Sequence, residues 1–154
     1  LRLRYFVDGD VSRIVLPPPG PSKPADGLWR HTCFEAFIAG QTSTAYFELN
    51  FSPSSQWAAY GFTSYREGMA PLEHVLPPQV TTSITDDRIA LEAVVQRETL
   101  LGLPGAATLR LGLSAVIERA DGGLSHWALA HPSERPDFHD PTAFVLTIDR
   151  DQPW

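Results

Sequence analysis

The residues best suited to chemistry sit in two short runs, Leu28-Trp29-Arg30-His31-Thr32-Cys33-Phe34-Glu35-Ala36-Phe37-Ile38 and Tyr46-Phe47-Glu48-Leu49-Asn50-Phe51. Each is patterned as a strand, with a glutamate among aromatics. A strand that buries one face has no use for a glutamate on it, so the other face is free to serve a ligand. Pairing the runs antiparallel with Ile38 against Ala45, Ala36 against Phe47 and Phe34 against Leu49 collects the apolar side chains on one side. Cys33, Glu35, Phe37, Tyr46, Glu48 and Asn50 fall on the other. A slip by one residue would drive Glu48 into the apolar layer, which is costly for an unpaired charge.

In this register Glu35 and Glu48 are direct cross-strand neighbours, with Cβ atoms ~5 Å apart, and two like charges so placed destabilise a sheet. Four things could compensate: an arginine bridge from Arg30, Arg66 or Arg110, a shared proton, a bound cation, or the hydroxyl groups of a sugar. A retaining glycosidase also sets two carboxyls about 5 Å apart, but across a substrate cleft rather than along a sheet. His31, Cys33 and Glu35 alternate like a base, nucleophile and orienting group. Residues two apart on a strand are separated by about 7 Å, too far for Cys–His contact, so Cys33 reads as a structural thiol.

Beyond Ser52-Pro53-Ser54-Ser55 a third run, Trp57–Tyr65, comes alongside. With Tyr60 and Phe62 in the core layer, Trp57, Ala59, Gly61 and Thr63 form a shallow floor next to Glu48. The four tryptophans are Trp29, Trp57, Trp127 and Trp154. An indole is a flat apolar platform for the C–H face of a sugar, with polar neighbours left to take its hydroxyls. Met69, the only methionine, could pair with His74, His126 or His131 as haem b ligands. The histidines and aspartates of Ser125–Pro132 and Pro136–Pro141 match no zinc spacing and read as a polar loop with prolines at its corners. Asp137 to Asp140 leaves room for a structural calcium ion.

These side chains must be positioned by strands. Fourteen prolines and eleven glycines in 154 residues leave little room for helix,. Pro17–Pro21, Pro77-Pro78, Gly102–Gly105 and 132–141 read as loops. Between them lie short β-rich runs: 1–7, 12–16, 33–39, 45–51, 57–65, 80–85, 89–96, 108–118, 124–129 and 143–148. Arg97–Leu101 is the one helical piece. That spacing indicates a single all-β domain over 1–154, an antiparallel sandwich of about ten strands.

Composition narrows the function. Hydrophobic content of 43% and charged content of 19% are those of a soluble globular chain rather than a disordered one,. A net charge of −6, with Lys23 the only lysine, argues against a nucleic-acid surface,. No apolar run reaches the roughly 20 residues that span a bilayer. One cysteine excludes an intrachain disulfide framework,, and the N-terminus carries no signal-peptide pattern. Both point towards a reducing, cytoplasmic setting.

Trp29 with Glu35 in Cys-Phe-Glu-Ala-Phe, then Tyr46-Phe47-Glu48-Leu49-Asn50-Phe51-Ser52-Pro53, then Trp57-Ala58-Ala59-Tyr60, resembles the DOMON-like, type 9 carbohydrate-binding-module group of β-sandwich domains. Trp127-Ala128-Leu129-Ala130-His131-Pro132 and Pro136-Asp137-Phe138-His139 resemble a free-standing bacterial subgroup. The resemblance implies a jelly-roll-like fold that binds a ligand and performs no catalysis. In sugar-binding members two tryptophans clamp a sugar above polar residues. By analogy Trp29 and Trp127 would be the clamp here, with Glu35 and Arg66 among the polar partners. Cytochrome members hold haem between Met and His, for which Met69 and a histidine would stand. The expectation is a non-catalytic domain binding a sugar-like group through Trp29, Glu35, Glu48, Asn50, Trp57, Arg66 and Trp127. Haem binding and protein interaction are the alternatives.

Overall fold

The computed structural model describes residues 1–103 and 107–149. It contains ten strands, separated by 3-10 turns and irregular loops. The first five are β1 (Arg2–Asp8), β2 (Cys33–Gly40), β3 (Tyr46–Phe51), β4 (Trp57–Phe62) and β5 (Ala70–Pro71). The rest are β6 (Gln79–Ile84), β7 (Arg88–Val94), β8 (Thr108–Glu118), β9 (Leu124–Ala128) and β10 (Leu146–Asp149). One sheet has the order β1-β7-β6, and the other runs β10-β8-β2-β3-β4-β5. The long β8 pairs with β10 along Thr108–Leu111 and with β9 along Ser114–Glu118. Every strand pair is antiparallel. No helix among the described residues is long and apolar enough to cross a membrane.

Alternation explains the core between the sheets. Leu3, Tyr5, Ile89, Leu91 and Ala93 from the small sheet meet Phe34, Ala36, Ile38, Leu49, Phe51, Leu109 and Leu111 from the large one. The Tyr5 hydroxyl crosses the gap and donates to the backbone carbonyl of Glu35 at 2.8 Å.

The large sheet is buried on its second face as well. All eight residues of β2 are buried. Phe37, Ala39, Tyr46, Ala58, Tyr60 and Phe62 form a separate apolar layer, covered by Leu28, Trp29, Phe138, Ala143 and Phe144. Those covering residues lie outside the strands, and the sequence shows how they are set. Asp140 accepts from Thr142 N–H at 2.8 Å and precedes Pro141, a capped start for the 3-10 turn Pro141–Ala143,. The turn delivers Phe144 onto Phe37, with ring centroids 6.0 Å apart. Gly112, opposite Phe37, makes the space: a Cβ there would lie 2.9 Å from the Phe144 ring and 3.2 Å from the Ala143 carbonyl.

Three expectations about the strands are corrected. The β2–β3 register is shifted by two residues, so that Phe34 faces Phe51, Glu35 faces Asn50 and Phe37 faces Glu48. A shift of two keeps every side chain on its expected face but changes its partner. On β4 the faces are exchanged: Trp57 pairs with Phe51 and joins the inter-sheet core with Ala59, while Tyr60 and Phe62 turn to the second layer. Both faces being apolar, alternation could not choose between them. Residues 12–16 form a 3-10 turn and a single bridge, Ile14 with Arg119, instead of a strand. The Arg97–Gly102 piece is a 3-10 turn. Pro104 and Gly105 of the expected Gly102–Gly105 loop, and Trp154, lie outside the described residues.

Candidate functional site

Between the large sheet and its covering loops is a pocket of ≈ 370 Å³. Its floor carries Glu35 and Glu48, and Trp29, Phe37, Phe62 and Phe138 wall it. Arg66, Met69, His126 and His139 reach it from the edges.

The corrected register makes Glu35 and Glu48 diagonal neighbours, ~7 Å apart along the sheet,. Both are buried. Glu35 Oε2 accepts from Ser114 Oγ, its cross-strand partner on β8, at 3.0 Å. Glu48 Oε1 accepts from Asn50 Nδ2 at 2.7 Å. Asn50 is itself buried, and its Oδ1 faces Cys33 Sγ at 3.7 Å. Asn50 therefore orients Glu48 from beneath rather than lining the cavity. Burial first, and then the Glu48 charge, push the Glu35 carboxyl up to about 8, against the pull of the Ser114 hydroxyl. Burial also raises Glu48, with Asn50 and Arg66 opposing.

The arginine bridge expected as one compensation does not form. The Arg66 guanidinium bonds Asp137 at 2.8 Å, and Asp137 also accepts from the Tyr65 hydroxyl. Arg110 is directed to the Pro141 carbonyl. Arg66 has φ 57°, the left-handed region that costs a side-chain-bearing residue energy,. The turn is held by the Asp137 pair and by the Arg66 backbone N–H, which donates to the Tyr46 hydroxyl at 3.2 Å. The Tyr46 hydroxyl is also hydrogen-bonded to His139 Nδ1, 2.7 Å away. The other ring nitrogen of His139, Nε2, faces Glu48 Oε2 at 3.7 Å. Burial, with help from Arg66, lowers His139 to about 4, so its ring is neutral near pH 7.

Trp29 is placed by local geometry. Gly27, at φ 72°, turns the chain into the 3-10 turn Leu28–Arg30. Asp26 anchors that turn by accepting from both Gly27 N–H and the Tyr60 hydroxyl. The Trp29 ring meets Tyr60 edge-on at 5.7 Å.

Four of the seven expected ligand residues, Trp29, Glu35, Glu48 and Arg66, line this pocket, and Asn50 supports it. Trp57 and Trp127 do not join them. Trp57 is a core residue, for the reason given by the β4 faces. Trp127 pairs with Ala115, whose side chain lies on the inter-sheet face, so it points away from Glu35 and borders a different groove with Tyr5, Phe34 and Leu129. Its neighbour His126 takes the pocket-facing position. The sequence pattern does not single out His139, Phe62, Phe138 or Tyr46 as residues of this site. The histidine in Pro136-Asp137-Phe138-His139 was the available signal, but nothing in its spacing shows that the segment folds over the glutamates.

Met69 and two histidines, His126 and His139, also border the pocket. His139 gives Nδ1 to Tyr46 and turns Nε2 to Glu48, and the floor is acidic. Among the described residues no three His, Cys, Asp or Glu side chains converge on a metal position. Asp137 holds Tyr65 and Arg66, and Asp140 caps its own turn.

No family model and no curated protein matches the chain. One solved structure does resemble it, a Bacteroides uniformis protein whose binding of carbohydrate is itself a proposal. At 16% identity and a TM-score of 0.60, the likeness covers 96% of this chain and 70% of that one. It shows a shared fold.

Proposed function

We propose that the chain is a non-catalytic binding domain for a carbohydrate or sugar-like group, seated in the pocket over Glu35 and Glu48, and that its nearest kin are DOMON-like and type 9 carbohydrate-binding domains. The observation that carries this reading is the pocket itself. Aromatic walls stand over two buried carboxyls whose hydrogen-bonding capacity the protein leaves partly unfilled. Rings supply the apolar face that a pyranose stacks on, and carboxyl oxygens accept its hydroxyl protons. The Bacteroides uniformis neighbour supports the same class of ligand. The volume of the pocket suits one or two sugar rings rather than a long polymer,.

Glu35 and Glu48 could also be taken for an acid and a base. They sit side by side on one sheet surface rather than across a cleft, which disfavours attack on a bond held between them. Isothermal titration calorimetry against mono- and disaccharides tests the reading. Binding that Trp29→Ala weakens by more than about tenfold is expected. Silence across the panel would overturn it.

A further inference from the structure

Glu35 is 2% exposed, yet its carboxyl borders the pocket. Among the described residues its carboxyl accepts one hydrogen bond, from Ser114 at Oε2, and none at Oε1. Glu48 lies diagonal to it. No arginine or lysine among the described residues hydrogen-bonds to either carboxyl, because Arg66 is occupied by Asp137. Two carboxyls this deep need a proton or a positive charge between them. Trp29, Phe37, Phe62 and Phe138 line the same space, and aromatic rings attract organic cations,. Among the described residues the side chains do not gather into a three-ligand set for a metal ion.

We propose that the ligand of this pocket carries a protonated amine, as an amino sugar does, and that the ammonium seats between Glu35 and Glu48. This rests on the sugar-binding reading above and narrows it. The ammonium replaces the proton held by the carboxyl pair, and that proton leaves to solvent. With Glu35 raised to about 8 by burial and Glu48, the proton is present near pH 7 to be released. The other titratable groups around the pair are Cys33 on β2, His126 on β9, Arg66 and Asp137, and His139 with Tyr46. Tyr5 approaches from the small sheet, and Tyr60 with Asp26 lies behind Trp29. Burial holds Cys33 and Tyr5 well above their ordinary values, so both stay neutral near pH 7.

The test is calorimetry at pH 7 with D-glucosamine, D-glucose, N-acetyl-D-glucosamine and cyclohexylamine, in two buffers of different ionisation enthalpy. Glucosamine is expected to bind about tenfold or more tighter than glucose or the N-acetylated sugar, with up to one proton released. Glu35→Gln should bring that ratio close to one, with its fold checked by near-ultraviolet circular dichroism. The wild-type comparison stands by itself if the variant does not fold. Equal affinities for glucose and glucosamine would overturn the ammonium and leave the sugar reading intact. Binding of cyclohexylamine alone would uphold the ammonium and overturn the sugar. Silence from all four would overturn both.

Discussion

Tyr46 shows how much one hydroxyl can organise. It accepts from the Arg66 backbone N–H and shares a hydrogen bond with His139 Nδ1, joining the turn at one rim of the pocket to the loop at the other. Tyr46→Phe leaves both groups without that partner, and should cost about 1–3 kcal/mol in urea denaturation while weakening ligand binding. The three described tryptophans separate by role. Trp57→Ala should cost about 3–5 kcal/mol, because a buried core ring is lost,. Trp29→Ala should act mainly on binding. Trp127→Ala should change neither, its ring being 64% exposed and on the opposite face. Paired melting and calorimetry on the three variants would sort them. From the sequence these indoles were equivalent, since the residue type suits a core as well as a platform. Strand registers turn Trp57 and Trp127 away from the pocket, and the 3-10 turn after Gly27 brings Trp29 to it, neither of which residue type announces.

At the scale of elements, the legible part of the sequence was the face of each strand where one side is plainly apolar. Phe34, Ala36, Ile38, Phe47, Leu49 and Phe51 all lie on the side their alternation indicated. The pairing was not legible, because the expected and observed registers leave connections of equal length and put the same side chains on the same faces, so alternation cannot choose between them,. β4 was unreadable for another reason: large apolar residues occupy both of its faces, one for each layer. The covering loops were hardest to foresee, since prolines and polar residues disguise the anchors Phe138 and Phe144. Gly112 is the counterpart of those anchors. Gly112→Ala would press into the Phe144 ring and the Ala143 carbonyl, and should cost about 1–3 kcal/mol by the same denaturation assay.

For the whole molecule, the buried glutamate writes a signature into stability against pH. Glu35 holds its proton in the folded state up to about 8, against 4.5 for an ordinary glutamate. Folding is therefore favoured by that group at low pH, and the advantage declines between those two values. His139 works with the opposite sign: its folded value near 4 lies below the ordinary 6.5, so stability rises as pH climbs through that interval,. The two slopes oppose each other up to about pH 6.5. Above it the His139 slope no longer offsets that of Glu35. Stability should then fall by about 1.4 kcal/mol per pH unit per proton between pH 6.5 and 8. Thermal melts across that range should show the decline in the wild type and its loss in Glu35→Gln.

Strand β2 is buried along both faces, with Phe34, Ala36 and Ile38 packed towards the small sheet and Glu35 and Phe37 under the pocket. Its backbone is also gripped from behind by Tyr5. The strand thus behaves as a shared wall between two rooms. A change of volume in the sealed room, Phe34→Leu for instance, cannot be absorbed without moving the wall, and the carboxyl on its far side moves with it. Ligand affinity in this fold is therefore open to adjustment by residues that never meet the ligand.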